Sequence, residues 1–303
     1  MTTARTAEEM ASDAVGLLAL DKPEDQTSHD MVKRVRRLLG QRRVGHTGTL
    51  DPFASGLLLM CLGWATRLAE YVTALPKTYV AVIRLGVRTD TDDRTGEVVE
   101  RNEGWRALDD VQVSRALARQ VGEIQQRPPV YSAKKVDGRR AYAAARRGRP
   151  LELDPHPVSV YGITLRSLAL PEAEIEVSCS AGTYIRAIAR DVGSELGVGG
   201  HLTRLRRLRI GDFSVDEARS LTPGTSARDV LARLQPPEEA VRHLPHVAPT
   251  AAEIGELLQG RSVPWPGDEV VGPVAVMVGD RLVAIGQQQN DRLWPRKVFE
   301  GGR

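Results

Sequence analysis

The sequence predicts an α+β fold, with a mixed, largely antiparallel central sheet followed by a small β-rich domain at the C-terminus. Candidate strands and helices mix irregularly along the chain, whereas a parallel doubly wound sheet requires strict alternation. The 303 residues are enough to bury a substantial core. A content of 41% hydrophobic and 27% charged residues is typical of a globular protein.

The first predicted elements are a strand and an amphipathic helix. The segment GLLALDKP (16–23) is an apolar run ended by proline, which indicates a buried strand. Ser28 is the predicted N-cap of the following helix, and Gly40 is its predicted end. An apolar stripe at helical spacing supports this helix: Met31, Val32, Val35, Leu38 and Leu39.

Two more strands are predicted on either side of a second helix. A glycine-rich loop leads into the apolar run from Leu57 to Leu62, which predicts a strand buried on both faces. The segment ATRLAEYVTAL (65–75) repeats apolar residues at helical spacing. KTYVAVIRLGV (77–87) is rich in β-branched residues and predicts a strand with Tyr79, Ala81 and Ile83 on one face.

The remaining segments predict further helices and strands. SRALARQVGEI (114–124) is predicted to be a helix, and residues 173–197 a strand, a turn at Gly182 and a helix. In the tail, EIGELLQG is a predicted helix, and VAVMVG and RLVAIGQ are predicted strands. TDTDDRTG (89–96) resembles a calcium-binding loop, but Arg94 and Thr95 stand where an oxygen ligand and glycine are required, so we predict an acidic turn.

These elements predict a domain organisation with one large and one small folded unit. Residues 1–13 are expected to be a disordered lead, and residues 14–215 the main domain, with a basic insertion at about 127–150. The proline-containing stretch 216–247 is a predicted connector, and 248–303 the small domain.

The composition favours a cytoplasmic protein. Cys61 and Cys179 lie far apart in apolar segments, which indicates reduced core residues and not a disulfide framework or a zinc site. The N-terminal segment lacks the apolar stretch of a signal peptide. The longest unbroken apolar run is far shorter than the ~18 residues of a membrane helix, so no membrane association is expected.

Positive charge is clustered along the chain. Residues 33–43, 134–149 and 201–210 carry +6, +6 and +4, although the whole chain carries only +3. One such run is usually a solvated helix face or loop. Three of them favour a surface that binds the phosphate backbone of a nucleic acid.

Asp51 occupies an unusual place in RRVGHTGTLDPFASGLLLMCLG (42–63). A charged residue destabilises a strand interior, and Pro52 cannot donate to a central ladder, so Asp51 belongs to the loop before the strand. Gly45 and Gly48 allow the backbone to pack tightly or to approach another molecule. Taken alone, the Asp-Pro pair is more typical of a turn than of a catalytic carboxylate.

Five segments together resemble the tRNA pseudouridine synthase B (TruB) family. GHTGTLDPFASGLL is similar to the family signature, and four other segments follow in the family's order and approximate spacing. These are LLALDKP…TS, KTYVAVIRLGVRTDTDDRTGE, PPVYSAKKVDGRRAY and CSAGTYIRAIARDVG…HLTRLRR. The resemblance covers nearly all of residues 16–215 and implies the pseudouridine synthase fold, with a PUA-like RNA-binding module in the tail.

The resemblance implies an isomerase that converts the T-loop uridine at tRNA position 55 to pseudouridine. This reaction breaks the C1′–N1 bond and rejoins the base through C5 without gain or loss of atoms, so it requires no cofactor and no metal. Asp51 matches the catalytic aspartate, a nucleophile or a base. Arg186 matches its cationic partner, and Tyr79 the aromatic residue that stacks on the target base.

Further residues are implied to bind the RNA. Tyr184 matches a second tyrosine of the pocket, Leu205 an apolar residue covering the base, and His46 a contact to neighbouring nucleotides. Ordinary helix packing for Leu205 and sheet packing for Tyr79 are the other interpretations. The basic residues expected to bind phosphates are Lys134, Lys135, Arg139, Arg140, Arg206 and Arg207.

Two departures from the family pattern and three rival functions accompany the resemblance. Asp25 replaces the family's usual glycine, although aspartate tolerates the left-handed conformation, and the 56-residue tail is short for a PUA module. The rivals are a tRNA-folding chaperone, a dyskerin-like rRNA enzyme, and a metal-dependent hydrolase using Asp90, Asp92 and Asp93. The expected partner is the T-arm of tRNA, bound by a monomer with no obligate protein partner.

Overall fold

The central sheet of the computed structural model is mixed and largely antiparallel. The structure describes residues 11–131, 153–265 and 267–299, and the backbone alone of 135–136 and 139–140. The strands of this part of the chain are β1 (Gly16–Lys22), β2 (Val44–His46), β3 (Ser55–Leu62), β4 (Lys77–Leu85), β5 (Val87–Thr89), β6 (Val98–Arg101), β7 (Gly122–Gln126), β8 (Lys135–Val136), β9 (Arg139–Arg140), β10 (His156–Ala169), β11 (Glu172–Cys179), β12 (Gly200–Ile210) and β13 (Phe213–Ser214).

Nine of these described strands form the main sheet, in the order β1-β3-β12-β4-β11-β10-β7, with β2 beside β3 and β13 beside β12. Strand β12 pairs in parallel with β3 and antiparallel with β4. The sheet therefore brings chain segments more than a hundred residues apart into direct contact, and the predicted α+β class is confirmed.

Helices and short 3₁₀ segments cover the sheet. The α-helices of the described residues are α1 (Ser28–Leu39), α2 (Ala69–Thr73), α3 (Asp110–Ala118), α4 (Ile185–Glu195), α5 (Ala227–Leu231) and α6 (Ala251–Leu258). The 3₁₀ segments are Gly63–Leu68, Glu103–Ala107, Val215–Glu217 and Pro237–Val241. Within the described ranges, no helix combines the length and the apolar character that a bilayer-spanning helix needs.

Strand β3 is buried on both faces, as predicted. Leu58 and Met60 join the apolar cluster that contains α1 and α4. Leu57 and Leu59 join a second cluster on the opposite face. A continuous apolar run is therefore the expected composition of this strand, because neither face meets solvent.

The C-terminal unit is a five-stranded sheet with one helix. Its strands are β14 (His246–Val247), β15 (Val263–Pro264), β16 (Pro273–Val278), β17 (Arg281–Gln289) and β18 (Arg292–Val298). The sheet begins at His246, two residues before the predicted start of the small domain. Phe299 packs on Trp64 with 4.8 Å between ring centroids and thereby joins this sheet to the main domain. The predicted β-rich tail is confirmed.

The structure differs from the predicted elements at the start of α1. Thr27, not Ser28, is the N-cap: its hydroxyl accepts from the Asp30 amide, and the Asp30 carboxylate accepts from the Thr27 amide. This reciprocal capping box determines where the helix begins. Gly40 ends the helix in the left-handed conformation (φ 62°), as predicted.

Two helical predictions were wrong further along the chain. The helix predicted over 114–124 ends at Ala118, and the chain then turns through Gly122 (φ 104°) into edge strand β7. Leu205, for which helix packing was considered, lies in strand β12. In both cases the segment pairs with a neighbouring strand, and this pairing overrides helix propensity. The local sequence carries no information about the partner strand.

Candidate active site

The loop from Thr47 to Ala54 carries Asp51 and is held by three anchors. The buried Lys22 ammonium donates to the Pro52 carbonyl (3.2 Å) and to two carbonyls of its own turn. The Ser28 hydroxyl accepts from the Leu50 amide (2.9 Å). The Asp25 amide donates to the Pro52 carbonyl (2.8 Å), and Asp25 adopts the predicted left-handed conformation (φ 61°). Asp51 therefore lies on a fixed loop beside the buried end of β1.

Asp51 forms a two-point ion pair with Arg186, the second residue of α4. The Arg186 Nε atom lies 2.8 Å from Asp51 Oδ2, and Nη2 lies 3.2 Å from Oδ1. The Arg186 side chain is 4% exposed and the Asp51 side chain 33% exposed. The carboxylate is thus oriented from its buried side and remains accessible from the other.

The other donors of Arg186 are also occupied. Its Nη1 donates to the Thr91 carbonyl (2.9 Å), and Nη2 to the Tyr131 carbonyl (3.0 Å). Asp93 Oδ2 lies 3.6 Å from Nε. A buried guanidinium needs such partners, because an unpaired buried charge is strongly destabilising. Arg186 is therefore fixed before any substrate binds.

The acidic turn 89–96 belongs to the site through Asp93, which sequence reasoning did not assign to it. Asp93 Oδ1 accepts from the Thr91 hydroxyl (2.9 Å) and from the Thr95 amide (2.9 Å). The dense threonine and aspartate pattern of this turn was visible in the sequence. It did not show that the turn reaches an arginine more than ninety residues away.

The neighbouring carboxylates are engaged by protein donors. Asp92 pairs with Arg190 (3.2 Å), and Asp90 Oδ1 accepts from the Glu97 amide (2.8 Å). Burial raises the pKa of Asp92, and the Arg190 cation opposes that rise. Across the described part of the chain, no group of three His, Cys, Asp or Glu residues is arranged to hold a metal ion.

Asp51 and Arg186 open into a pocket of about 240 Å³. Its lining combines two loops, the start of α4 and the faces of β4 and β12: Gly48, Thr49, Leu50, Asp51, Thr73, Lys77, Tyr79, Ser180, Ala181, Gly182, Thr183, Tyr184, Ile185, Arg186, Leu205 and Arg207. The structure therefore brings five residues predicted from the sequence into one cavity: Asp51, Tyr79, Tyr184, Arg186 and Leu205. Arg207, predicted as a phosphate ligand, lines it as well.

Tyr79 and Leu205 supply the apolar surface of the pocket. Both are largely buried, at 9% and 5% exposure, and they lie on the adjacent strands β4 and β12. Burial raises the pKa of the Tyr79 phenol, while the adjacent Arg207 guanidinium opposes that rise. Tyr79 also belongs to the main apolar cluster, so the predicted sheet packing and a place in the pocket hold together.

Tyr184 caps α4 through its backbone and lines the pocket. Its amide donates to Gln126 Oε1 (2.8 Å), and its carbonyl accepts from Gln126 Nε2 (3.1 Å). Its ring meets the His156 ring edge-on, with 6.4 Å between centroids. The fully buried Gln126, which the sequence did not single out, therefore fixes the tyrosine beside Arg186.

His46 lies half-buried at the end of β2, beside the loop of Asp51. Its Nδ1 accepts from the Gly48 amide (3.3 Å), so the loop orients the ring. Burial lowers the pKa of His46, and electrostatic interactions with the neighbouring Arg207 and His29 side chains lower it further. His46 does not line the pocket that contains Asp51, but it lies three residues from the pocket-lining Thr49.

Arg206 and Arg207 differ sharply in environment. Arg206 makes a two-point pair with Asp21, with both N–O distances 2.9 Å, and its side chain is 40% exposed. Arg207 is only 1% exposed and donates to the carbonyls of Leu57 (2.7 Å) and Gly48 (3.1 Å).

Lys77 is a pocket residue that sequence reasoning missed. Its ammonium donates to the Leu75 carbonyl (2.6 Å) and to the Thr73 carbonyl at the end of α2. Burial lowers the pKa of Lys77 to about 8, and the Arg207 charge adds to this effect. A lysine beginning a strand of β-branched residues was the available signal, but lysine in that position is usually solvated.

The side chains of the phosphate ligands predicted in the basic insertion lie outside the described part of the structure. Lys134 lies outside the described residues. Lys135, Arg139 and Arg140 belong to the hairpin β8–β9, in which Lys135 pairs with Arg140 along the backbone. Their assignment to RNA binding stays a prediction.

Two family models match consecutive parts of the chain. The TruB family pseudouridylate synthase N-terminal domain matches residues 36–185. The tRNA pseudouridylate synthase B C-terminal domain matches residues 186–242. Asp51 lies within the first match and Arg186 is the first residue of the second, so the ion pair joins the two matched parts.

Curated relatives match over almost the whole chain. The chain is 39% identical over 286 residues to the tRNA pseudouridine synthase B of Aquifex aeolicus, covering 94% of this chain and 99% of that protein. It is 41% identical over 299 residues to the protein of the same name from Thermobifida fusca, covering 95% and 99%.

Solved structures share the fold. A chain of an H/ACA RNP bound to a substrate RNA containing 2′-deoxyuridine superposes with a TM-score of 0.72 at 25% identity, covering 98% of this chain and 88% of that one. A chain of a Cbf5-Nop10-Gar1 complex gives 0.71 at 28% identity, covering 97% and 87%.

Proposed function

The chain belongs to the TruB family of pseudouridylate synthases, and from that membership we propose that it isomerises uridine to pseudouridine in tRNA. We propose further that its target is the T-loop uridine at position 55 and that Asp51 is the catalytic carboxylate. The observation that carries the second proposal is the geometry of Asp51, which is paired at two points by a buried arginine and opens into a pocket lined by Tyr79 and Leu205.

The reaction makes limited demands on the protein. The C1′–N1 bond breaks, the uracil turns, C5 bonds to C1′, the C5 proton leaves and N1 gains a proton. The protein must hold an ionised carboxylate beside the sugar and base to act as nucleophile or base. Arg186 orients that carboxylate through two charge-assisted hydrogen bonds.

The pocket suits an extruded nucleotide. A uridine inside a folded tRNA loop must leave its stack before Asp51 can reach the sugar, at a cost of a few kcal/mol. Tyr79 offers a ring for stacking, and Leu205 an apolar surface beside it. Stacking on an aromatic side chain offsets about 1–3 kcal/mol per base. His46 and Tyr184 are proposed to contact the nucleotide next to the target and the target itself.

Exposed cations are proposed to bind the tRNA backbone. Arg37, Arg42 and Arg43 are exposed around the end of α1, which leads directly into β2 and His46. Arg206, the basic insertion with Lys134, Lys135, Arg139 and Arg140, and the C-terminal sheet are proposed to extend this surface. The phosphate contacts would make affinity fall with salt. We propose that the chain acts as a monomer with residues 14–215 as its catalytic domain.

Asp51→Asn tests the catalytic assignment. The amide keeps the size of the side chain but cannot act as an ionised nucleophile or base. We expect normal binding of an unmodified tRNA transcript and no pseudouridine at position 55, mapped by carbodiimide treatment and primer extension. The control is Asp110→Asn, an exposed position on α3, which should leave both binding and activity intact. An active Asp51→Asn enzyme would exclude Asp51 as the catalytic group.

Three measurements distinguish the rival functions from the proposed one. A chaperone whose catalysis is secondary would lose its effect on tRNA folding together with binding, so Asp51→Asn would leave that effect unchanged. A dyskerin-like rRNA enzyme, which works only within a complex, would leave bare tRNA unmodified. A metal-dependent hydrolase acting through Asp90, Asp92 and Asp93 would be inhibited by EDTA, whereas we expect full pseudouridine formation in the presence of EDTA.

A further inference from the structure

Arg207 connects the parts of the candidate active site. It lies on β12 directly opposite Tyr79 of β4 and, on its other side, opposite Gly56 of β3. Its side chain then reaches the loop of Asp51, where Nη2 donates to the Gly48 carbonyl, while Nε donates to Leu57. Arg207 therefore links three segments: its side chain binds the loop before β3 and β3 itself, and its backbone pairs with the strand of Tyr79.

The backbone at this position is equally constrained. Gly56 adopts φ 101°, and a Cβ atom there would lie 2.3 Å from the Arg207 carbonyl oxygen. Only glycine permits the two strands to approach so closely. Because the backbone of β12 is fixed against β3 at this point, the Arg207 side chain extends from a fixed position to the Gly48 carbonyl.

The burial of Arg207 conflicts with a role as a phosphate ligand. At 1% exposure and with two backbone carbonyls bound, the guanidinium does not face solvent. Its neighbour Arg206 is the exposed member of the pair. The run RLRRLR therefore contains cations of two kinds, which composition alone does not separate.

We propose that Arg207 is a positioning residue that sets the loop of Asp51 at a fixed distance from Tyr79, and not a ligand of the tRNA backbone. This inference rests on the proposed function. A flexible linkage between loop and strand would let the carboxylate and the stacked base drift apart. A misplacement of about 1 Å in such an arrangement costs about 10²-fold in rate.

The kinetic test compares Arg207→Met and Arg207→Lys with the wild type. Lysine keeps the charge, but its single nitrogen does not reproduce the planar fork that spans Gly48 and Leu57. For both variants we expect kcat to fall about 10²-fold while the KM for tRNA and the salt dependence of binding stay unchanged. The matched control is Arg84→Met at the far end of β4, where the arginine side chain is 43% exposed, and it should change neither constant.

The pKa values of His46 and Tyr79 provide a second measurement, which a general loss of stability would not change. The groups acting on His46 are Arg207, His29 and the Gly48 amide, and those acting on Tyr79 are Arg207, Cys179 and Asp51. Removing the cation in Arg207→Met should raise the pKa of His46, followed by NMR, and raise the pKa of Tyr79, followed by phenolate absorbance. Arg207→Lys should retain most of the original pKa of His46.

The outcomes distinguish the inference from the proposed function. Inactive wild-type protein on the tRNA transcript would reject the proposed function. Active wild type with an unchanged kcat in folded Arg207→Lys would overturn the positioning role alone. A raised KM with a salt slope reduced by about 1 would instead identify Arg207 as a phosphate ligand. Failure of both variants to fold would also overturn it, because the residue would then serve stability in general.

Discussion

Replacement of Arg186 tests whether the ion pair carries the chemistry. The wild-type guanidinium makes four hydrogen bonds, two of them to the Asp51 carboxylate. A lysine has one nitrogen with three donors, so Arg186→Lys loses at least the two-point grip on Asp51. One hydrogen bond to a charged group is worth about 1.5–3 kcal/mol. This corresponds to a loss of about 10- to 150-fold in the rate of the chemical step.

Arg186→Met should have a larger effect, because it removes the charge as well. Asp93, whose side chain is 7% exposed, would lose its cation, and the carbonyls of Thr91 and Tyr131 would lose a donor. Breaking a buried pair by removing one partner costs about 3 kcal/mol or more. For a chain of this size that lowers the melting temperature by about 5 °C.

The assay follows the proton that leaves C5. A tRNA transcript tritiated at uridine C5 releases tritium when the base is rejoined, and excess enzyme in a single turnover isolates this step from product release. The control is Arg166→Lys, which alters an exposed pair with Glu176 on the far side of the sheet. Wild-type tritium release by Arg186→Lys, at wild-type tRNA affinity, would refute the role assigned to the pair.

Two further predictions concern cations at the edge of the site. Burial lowers the pKa of Lys77 from 10.5 to about 8, so between these pH values the unfolded chain binds a proton that the folded chain does not. The urea stability of the wild type should therefore rise relative to Lys77→Met from pH 8 to pH 10, and a constant difference would contradict the burial effect. Arg42→Glu/Arg43→Glu, at exposed positions without an ion pair among the described residues, should weaken tRNA binding and lower its salt slope by about 1 per lost phosphate contact. The single-turnover rate of the double variant at saturating tRNA should stay at the wild-type level. The control Arg115→Glu, on α3, should bind tRNA normally. An unchanged salt slope in the double variant would show that the tRNA does not contact Arg42 and Arg43.

Local pattern predicted the elements whose own composition indicates burial. The amphipathic stripe of α1 and the continuous apolar run of β3 gave correct elements because each pattern indicates burial without reference to the partner segments. Strand β10, with fourteen residues, was missed, because HPVSVYGITLRSLA mixes glycine, serine and charge with short apolar pairs. Its stability comes from pairing with β11 on one side and β7 on the other.

The residues of the candidate site likewise fall into those that were predicted and those that were missed. The resemblance identified Asp51, Tyr79, Tyr184, Arg186 and Leu205, and the structure brings all five to one pocket. It did not identify Asp93, Lys77 or Gln126, because their roles in the site depend on which residues lie next to them in the folded chain. It also treated Arg206 and Arg207 alike, since burial of a cation is a property of the register between strands and not of the residue type.

The buried cations explain how loops can form a rigid site. Lys22, Lys77, Arg186 and Arg207 are each nearly inaccessible, and each donates to backbone carbonyls of a loop or a helix end near the pocket. Charge-assisted bonds to carbonyls are stronger than neutral ones, so they can fix segments that have little apolar surface of their own.

This arrangement also sets the sign of the field in the pocket. Three of the four cations line the pocket, whereas Asp51 is the sole carboxylate among the described residues of its wall. In a site of reduced dielectric the excess positive charge favours an anionic ligand. A free, neutral base would gain little from this charge, whereas a nucleotide that carries its phosphates would be stabilised by it. The buried cations therefore favour a nucleotide within an RNA chain over an isolated base.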